Sequence, residues 1–132
     1  MGNFTIKIDG VSYRVRGKAG TLEESFRVEE GINSGTLLNG EHLRDVVGTY
    51  YDHRISIEPD PRYYQDYINL YEAISAPVES HLVEMPHEDS TIRYEAMITG
   101  GSHVIRDAIN GRKRYEGLEI EFRAKKPQRR PT

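Results

Sequence analysis

The stretch EGINSGTLLNGEHLRDVVGTYYDHRISIE, residues Glu30 to Glu58, holds the two features that decide the fold. In its second half Tyr51, His53, Ile55 and Ile57 fall on one face, and Asp52, Arg54, Ser56 and Glu58 on the other. Alternation with a period of two marks a half-buried β-strand, and it predicts the longest strand of the chain over 48–58. Pro59-Asp60-Pro61 ends that strand, because proline cannot donate to a sheet ladder. The first half, residues 30–47, reads as a long Gly/Asn-rich loop. Loops of this length are functional or disordered when they carry no structure. A disordered segment seldom keeps Leu37, Leu38, Leu43, Val46 and Val47. The loop is therefore expected to pack against something, either its own domain or a neighbouring subunit.

Upstream, Phe4, Ile6 and Ile8 alternate with Thr5 and Lys7, Asp9-Gly10 supplies a tight turn, and Tyr13 and Val15 continue the pattern. These residues predict a hairpin over 3–16. A short strand over 25–29 is expected to bury Phe26 and Val28 and to expose Arg27. Downstream, Asp60 is placed to cap a helix that Pro61 opens, since the missing N–H costs nothing there. Tyr64, Tyr67, Ile68, Leu70, Tyr71 and Ile74 recur at helical spacing over about 62–75. That stripe predicts a helix lying on a sheet, with phenol tips able to reach water. Ala76-Pro77 terminates it.

The rest is β again. Strands are expected at 81–85, ended by a polar turn from Pro86 to Asp89, at 92–98, at 104–109 and at 118–124. Gly100-Gly101 breaks the second of these, and Asn110-Gly111 is a strong hairpin signal. No repeat is visible, and strands do not alternate with helices. The pattern predicts a mainly β fold, an antiparallel sandwich or barrel of about eight strands with one flanking α-helix. Residues 1–124 form one β-rich domain with the long loop 30–47, and 125–132 form a basic C-terminal tail.

At 132 residues the chain suits one domain, with 36% hydrophobic and 30% charged residues. Its formal net charge of −3 creates no general attraction for nucleic acid. Cysteine is absent, which excludes disulfides and thiol chemistry. No apolar run approaches the roughly 18 residues of a membrane-spanning helix. The segment MGNFTIKIDG has no basic stretch leading into an apolar one, so no secretory signal is expected. Ile6 stands where a myristoylation pattern after Gly2 wants Ser or Thr. Arg112, Lys113, Arg114, Arg123, Lys125, Lys126, Arg129 and Arg130 crowd the C-terminal end and read as solvated charge.

Five histidines are scattered, at 42, 53, 81, 87 and 103. His81, Glu84 and His87 come nearest to a metal-binding spacing. On a strand His81 and Glu84 point to opposite faces, and Pro86 interrupts before His87, so convergence fails. His53 shares the apolar face of its strand and reads as a satisfied, partly buried side chain. There is no Gly-x-Ser-x-Gly elbow. Gly100-Gly101-Ser102 lies between strands and lacks the helix N-terminus that a phosphate cradle needs. Arg93-Tyr94 and Arg114-Tyr115 do not make a stacking platform, because Tyr94 belongs to an apolar face. No catalytic, cofactor-binding or metal-ligating residue is assigned, and no enzyme is expected.

Gly35-Thr36-Leu37, then Gly40, Arg44 and Gly48, lead into a long strand. With the helix Tyr63–Ala73, Ser75-Ala76-Pro77-Val78 and the ending LEIEFRAKKPQR over 118–129, this pattern resembles small prophage-encoded tail proteins of Gram-positive bacteria. The resemblance covers most of residues 4–129 and includes no catalytic motif. It implies a non-enzymatic virion subunit of tail-tube, distal-tail or adaptor type: a β-sandwich with a flanking helix that forms rings, commonly hexamers, and contacts other tail proteins. It also implies that the loop reaches the next subunit, with Thr36, Leu37, Leu38, Leu43 and Arg44 as interface residues. The location implied is the virion tail, after assembly in the bacterial cytoplasm.

Two other readings fit the residues. A small β-barrel binding module could hold an apolar ligand or a protein partner, with Tyr64, Tyr67 and Tyr71 lining its mouth. A small hydrolase could use His53 or His81, given a cleft that brings either within hydrogen-bond reach of a carboxylate.

Overall fold

The long strand dominates the architecture. In the computed structural model, which describes residues 2–18, 20–106 and 114–131, it runs from Val46 to Pro59. In chain order the strands are β1 (Gly2–Ile8), β2 (Val11–Gly17), β3 (Glu23–Glu30), β4 (Gly35–Thr36), β5 (His42–Leu43) and β6 (Val46–Pro59). A 3-10 turn (Pro61–Tyr63) leads into α1 (Tyr64–Ile74), then follow β7 (His81–His87), β8 (Ser90–Met97), β9 (Gly101–Arg106) and β10 (Arg114–Ala124).

The main sheet has eight strands in the order β3-β6-β2-β1-β7-β8-β10-β9, and β6 also pairs with β10. That last pairing closes β6-β2-β1-β7-β8-β10 into a six-stranded antiparallel barrel, with β3 and β9 outside the ring. Barrel closure follows from parity. Residues that alternate along each strand turn Ile6, Val15, Ile57, Val83, Leu118 and Phe122 inward, all nearly inaccessible. Each such side chain contributes on the order of 1.5–3 kcal/mol. The fold is thus the barrel form of the expected mainly β architecture, with its single helix at 64–74.

The β1–β2 hairpin turns at Asp9 and Gly10, which have φ of 51° and 83°. Two positive φ values in a two-residue loop match the twist of the flanking strands. Asp60 accepts a hydrogen bond from the Arg62 N–H at 3.0 Å and starts the 3-10 turn. Tyr67, Leu70 and Ile74 are the buried stripe of α1, which packs on β2 and β6.

Four expectations change. The strand β3 does not bury Phe26 and Val28. Phe26 is 70% exposed, while Arg27 folds inward onto Asp52. The cause is that most of β3 pairs with residues 46–52 of β6, which have already left the barrel. Asp52, placed on the solvent face by alternation, is buried because it caps the end of β10, donated to by the Ala124 N–H at 2.8 Å. Pro86 does not end its strand. It sits opposite Thr91, and β7 continues to His87 before a turn at Glu88, φ 53°. The third strand of the second half is Gly101–Arg106 rather than 104–109, and the Asn110-Gly111 turn lies outside the described residues.

The basic tail is only partly solvated. Residues 127–129 fold back on the free edge of β6. The Thr49 N–H donates to the Arg129 carbonyl at 2.8 Å, and the Gln128 N–H donates to the Thr49 carbonyl at 3.0 Å. The Gln128 side chain then serves Tyr51 like a strand peptide: its oxygen accepts from the Tyr51 N–H at 3.0 Å and its amide donates to the Tyr51 carbonyl at 3.1 Å. This approach requires glycine at 48. A Cβ there would lie 2.6 Å from the Arg129 carbonyl oxygen and 2.7 Å from the Pro127 Cβ, at a φ of 155°.

Gly48→Val is expected to expel the tail and to cost about 1–3 kcal/mol by overcrowding. A calorimetric melt should show the lower midpoint, and trypsin should cut after Arg129 faster than in the wild type. Unchanged melting and unchanged cleavage would show that the tail is not gripped there.

Candidate interaction surface

Beyond the barrel, β3 and the first half of β6 continue as a two-stranded ribbon, paired from Glu23 opposite Arg54 to Glu29 opposite Gly48. The segment expected as a loop is the folded tip of this ribbon. The Gly31 N–H donates to the Asp45 carbonyl at 2.6 Å, and the Asp45 N–H donates to the Ser34 hydroxyl at 2.6 Å. Within the tip, β4 pairs with β5, and the Leu37 N–H donates to the Glu41 carbonyl at 2.6 Å. Gly40, φ 89°, makes the turn that returns the chain.

The ribbon exposes several apolar side chains among its charged ones. Leu38 is fully exposed, Ile32 96% exposed, and Leu37, Leu43, Val28 and Val47 are each more than a third exposed. A hydrogen-bonded backbone here holds several apolar side chains in water.

The five residues assigned to an interface divide into two groups. Thr36 stands opposite His42 in the tip, and Leu37, Leu38 and Leu43 project from it. Arg44 instead holds the tip to β3: its Nε donates to Glu30 Oε1 at 2.6 Å, and His42 Nε2 lies 3.2 Å from the same oxygen. Sequence reading missed Phe26, Val28 and Ile32. The signal available was composition, since β3 is EESFRVEE and places four glutamates around its apolar pair.

At the root of the ribbon a polar cluster joins β3 to the barrel. Glu24 Oε2 sits 3.1 Å from His53 Nε2 and 2.8 Å from His87 Nδ1. His53 Nε2 also faces the Pro86 carbonyl at 2.9 Å, and its Nδ1 lies 2.8 Å from the Tyr94 hydroxyl. Two acceptors at Nε2 call for a proton on that nitrogen, and the Tyr94 hydroxyl lies between His53 Nδ1 and the Phe122 carbonyl, 3.5 Å away. Burial pushes the Tyr94 phenol well above its ordinary range, helped by the nearby Asp52 and Glu24 charges, so it remains a donor.

The histidine spacing that came nearest to a metal site is not brought together. His81 lies at the start of β7 against Asp9, at 2.7 Å, while His87 lies at its end against Glu24. Among the described residues no group of three or more His, Asp or Glu side chains is placed to hold a metal ion. Carboxylates do reach His53 and His81, but both imidazoles are almost fully buried. Neither lines either of two open grooves among the described residues. One groove, of about 560 Å³, is bordered by Thr21, Glu23, Arg54, Ser102, Glu119 and Glu121. The other, of about 390 Å³, lies between Tyr71, Ile74, Pro77, Val78, Ile98 and Leu118.

The helix tyrosines do not form a mouth. Tyr67 is fully buried, with its hydroxyl 3.0 Å from His103 Nδ1. The His103 ring stacks between Tyr71, 4.1 Å away and 2° from parallel, and Tyr115 at 4.6 Å. Burial pushes the His103 imidazole below its ordinary value, favouring the neutral form that can accept from Tyr67. This stack fastens β9 to α1.

No protein-family model, curated protein or solved structure matches the chain. No helix among the described residues is long and apolar enough to cross a membrane.

Hydrogen bonds from Arg44, and then from His42, hold the Glu30 carboxyl below the usual glutamate range. A depressed folded-state value stabilises above the unfolded value, and that contribution disappears as pH falls through the folded one. Amide protection factors for residues 35–43 are therefore expected to fall at acid pH, as Glu30 takes up its proton. Glu30→Gln should lower them already at neutral pH. NMR hydrogen exchange checks this, and protection independent of both pH and the substitution would remove Glu30 as the anchor.

Proposed function

We propose that this chain is a non-enzymatic structural subunit of a phage or prophage tail or baseplate, which assembles into rings with copies of itself and contacts other tail proteins. The observation that carries the reading is the hydrogen-bonded ribbon with Leu38 fully exposed at its tip. A flexible loop would oppose docking by roughly 1–2 kcal/mol for each residue it must order. Here the ribbon and its tip are already fixed by their own hydrogen bonds. Burying an apolar side chain then contributes on the order of 1.5–3 kcal/mol to association. Repeated around a closed ring, the same contact gains further through effective concentration. In this reading the protein assembles in the host cytoplasm and ends in the virion tail. The likeness to prophage tail proteins supplies the setting, and the ribbon supplies the means.

Light scattering across a concentration series tests it. The wild-type mass is expected to rise to a closed oligomer. Leu38→Asp should weaken association at least tenfold while leaving the melting temperature near the wild type. Ile120→Asp, at a position 3% exposed in the barrel, should instead abolish cooperative folding. A wild-type particle that stays monomeric at millimolar concentration would overturn the proposal.

A further inference from the structure

We infer that the basic C-terminal end of one copy docks in the acidic groove outside the β6–β10 seam of a second copy. The inference rests on the self-assembly reading above and names one contact that joins neighbours.

The groove, of about 560 Å³, crosses the outer face of the sheet where β3, β6, β10 and β9 run side by side. Its charged lining is Glu23 from β3, Arg54 from β6, and Glu119 and Glu121 from β10; its other side chains are uncharged. Register sets Glu23 and Glu121 opposite Arg54 on its two sides. Three carboxylates against one guanidinium leave the lining with a net charge of −2. Among the described residues none of the four makes an ion pair. Glu29, Glu30, Glu79, Glu84 and Glu95, by contrast, each have an arginine or lysine partner. The groove thus gathers carboxylates that the chain leaves without a cation.

The complementary charge lies on the tail. Residues 125–131 carry Lys125, Lys126, Arg129 and Arg130 and no acidic residue. Lys125 is held by Glu79 at 3.0 Å, and Lys126 lies 4.0 Å from Glu95. Arg129 and Arg130 are exposed and have no carboxylate partner among the described residues. The hold of the tail on Thr49 and Tyr51 mounts these two arginines on a hydrogen-bonded backbone, so less ordering is needed on binding. They do not reach the groove of their own chain. The tail runs antiparallel to β6, with Arg129 opposite Thr49, and its end moves away from Arg54. Five residues of strand separate Thr49 from Arg54, roughly 17 Å at the rise of an antiparallel strand. A second copy is what brings guanidinium to carboxylate, the pairing whose planar geometry allows two parallel hydrogen bonds. Exposed ion pairs are weak singly and screened by salt. Groove and tail are different patches, so the contact is heterologous, the kind that closes into rings and repeats around them.

The test exchanges the charges in two full-length variants, each altered at exposed positions, with folding confirmed by thermal melts. One carries Glu119→Arg and Glu121→Arg in the groove; the other carries Arg129→Glu and Arg130→Glu in the tail. Sedimentation equilibrium at low ionic strength is expected to show each variant alone associating at least tenfold more weakly than the wild type. An equimolar mixture should regain most of that loss, because each tail then meets a groove of opposite charge on the other chain. Raising the salt should weaken the wild type and the mixture alike. If the wild type associates but either variant associates equally well alone, or the mixture stays as weak as its parts, the tail-to-groove pairing is wrong and self-assembly stands. If the wild type itself never associates, the self-assembly reading falls, and this inference with it.

Discussion

The structure turns on one buried carboxylate. Asp52 sits where β6 leaves the barrel, just beyond His53, the last β6 residue that β10 pairs with. Past that point the backbone of Ala124 needs new partners. Asp52 Oδ1 takes the Ala124 N–H at 2.8 Å, and Arg27 donates to the Ala124 carbonyl at 3.3 Å. Arg27 also grips both oxygens of Asp52, at 2.7 and 3.2 Å. Burying an ion without partners costs several kcal/mol, but here each oxygen is engaged. An apolar pair would pack as well. It would not end β10, satisfy its last peptide and tie β3 to the seam in a single contact.

The ribbon grows from the barrel's own ladder on both edges of β6. On one edge β2 stops opposite Ile57 and β3 resumes opposite Arg54. The gap is bridged by Lys18 N–H on the Ser56 carbonyl at 3.0 Å and by the Thr21 hydroxyl, which accepts from the Ser56 N–H at 3.2 Å. On the other edge β10 stops and the tail resumes, with Gln128 standing in for a strand peptide at Tyr51. The ribbon is therefore an extension of the sheet and not a loop attached to it. That continuity is what allows apolar side chains to be held in water at fixed positions without a core beneath them.

The barrel was legible in the sequence because its interior sorts residues by parity. Ile55 and Ile57, and Leu118, Ile120 and Phe122, all alternate as read and all lie inside. The Asp9-Gly10 turn and the Asp60-Pro61 helix start were legible because each depends on local backbone chemistry. Phe26 and Val28 were misread for a physical reason: period-two alternation identifies a strand but not which of its sides has a core. Asp52 and the tail were illegible because their partners, Arg27, Ala124 and Thr49, lie 25 to 80 positions away along the chain. The cluster of Glu24, His53 and His87 is of the same kind, assembled only when β3 and the β7–β8 turn meet over β6.

Closure of the barrel also explains why two edges remain open. β6 and β10 pair with each other to seal the ring, so the strands that flank them, β3 and β9, are left on opposite sides of the seam. They cannot pair within one chain, since β6 and β10 lie between them. Among the described residues their outer backbone groups have no strand partner. The four glutamates of β3 oppose pairing with an identical strand. Edge charge of this kind is one way a sheet protects an unpaired strand. The same sealing that makes the barrel stable thus leaves the two flanking strands as the ends of the sheet.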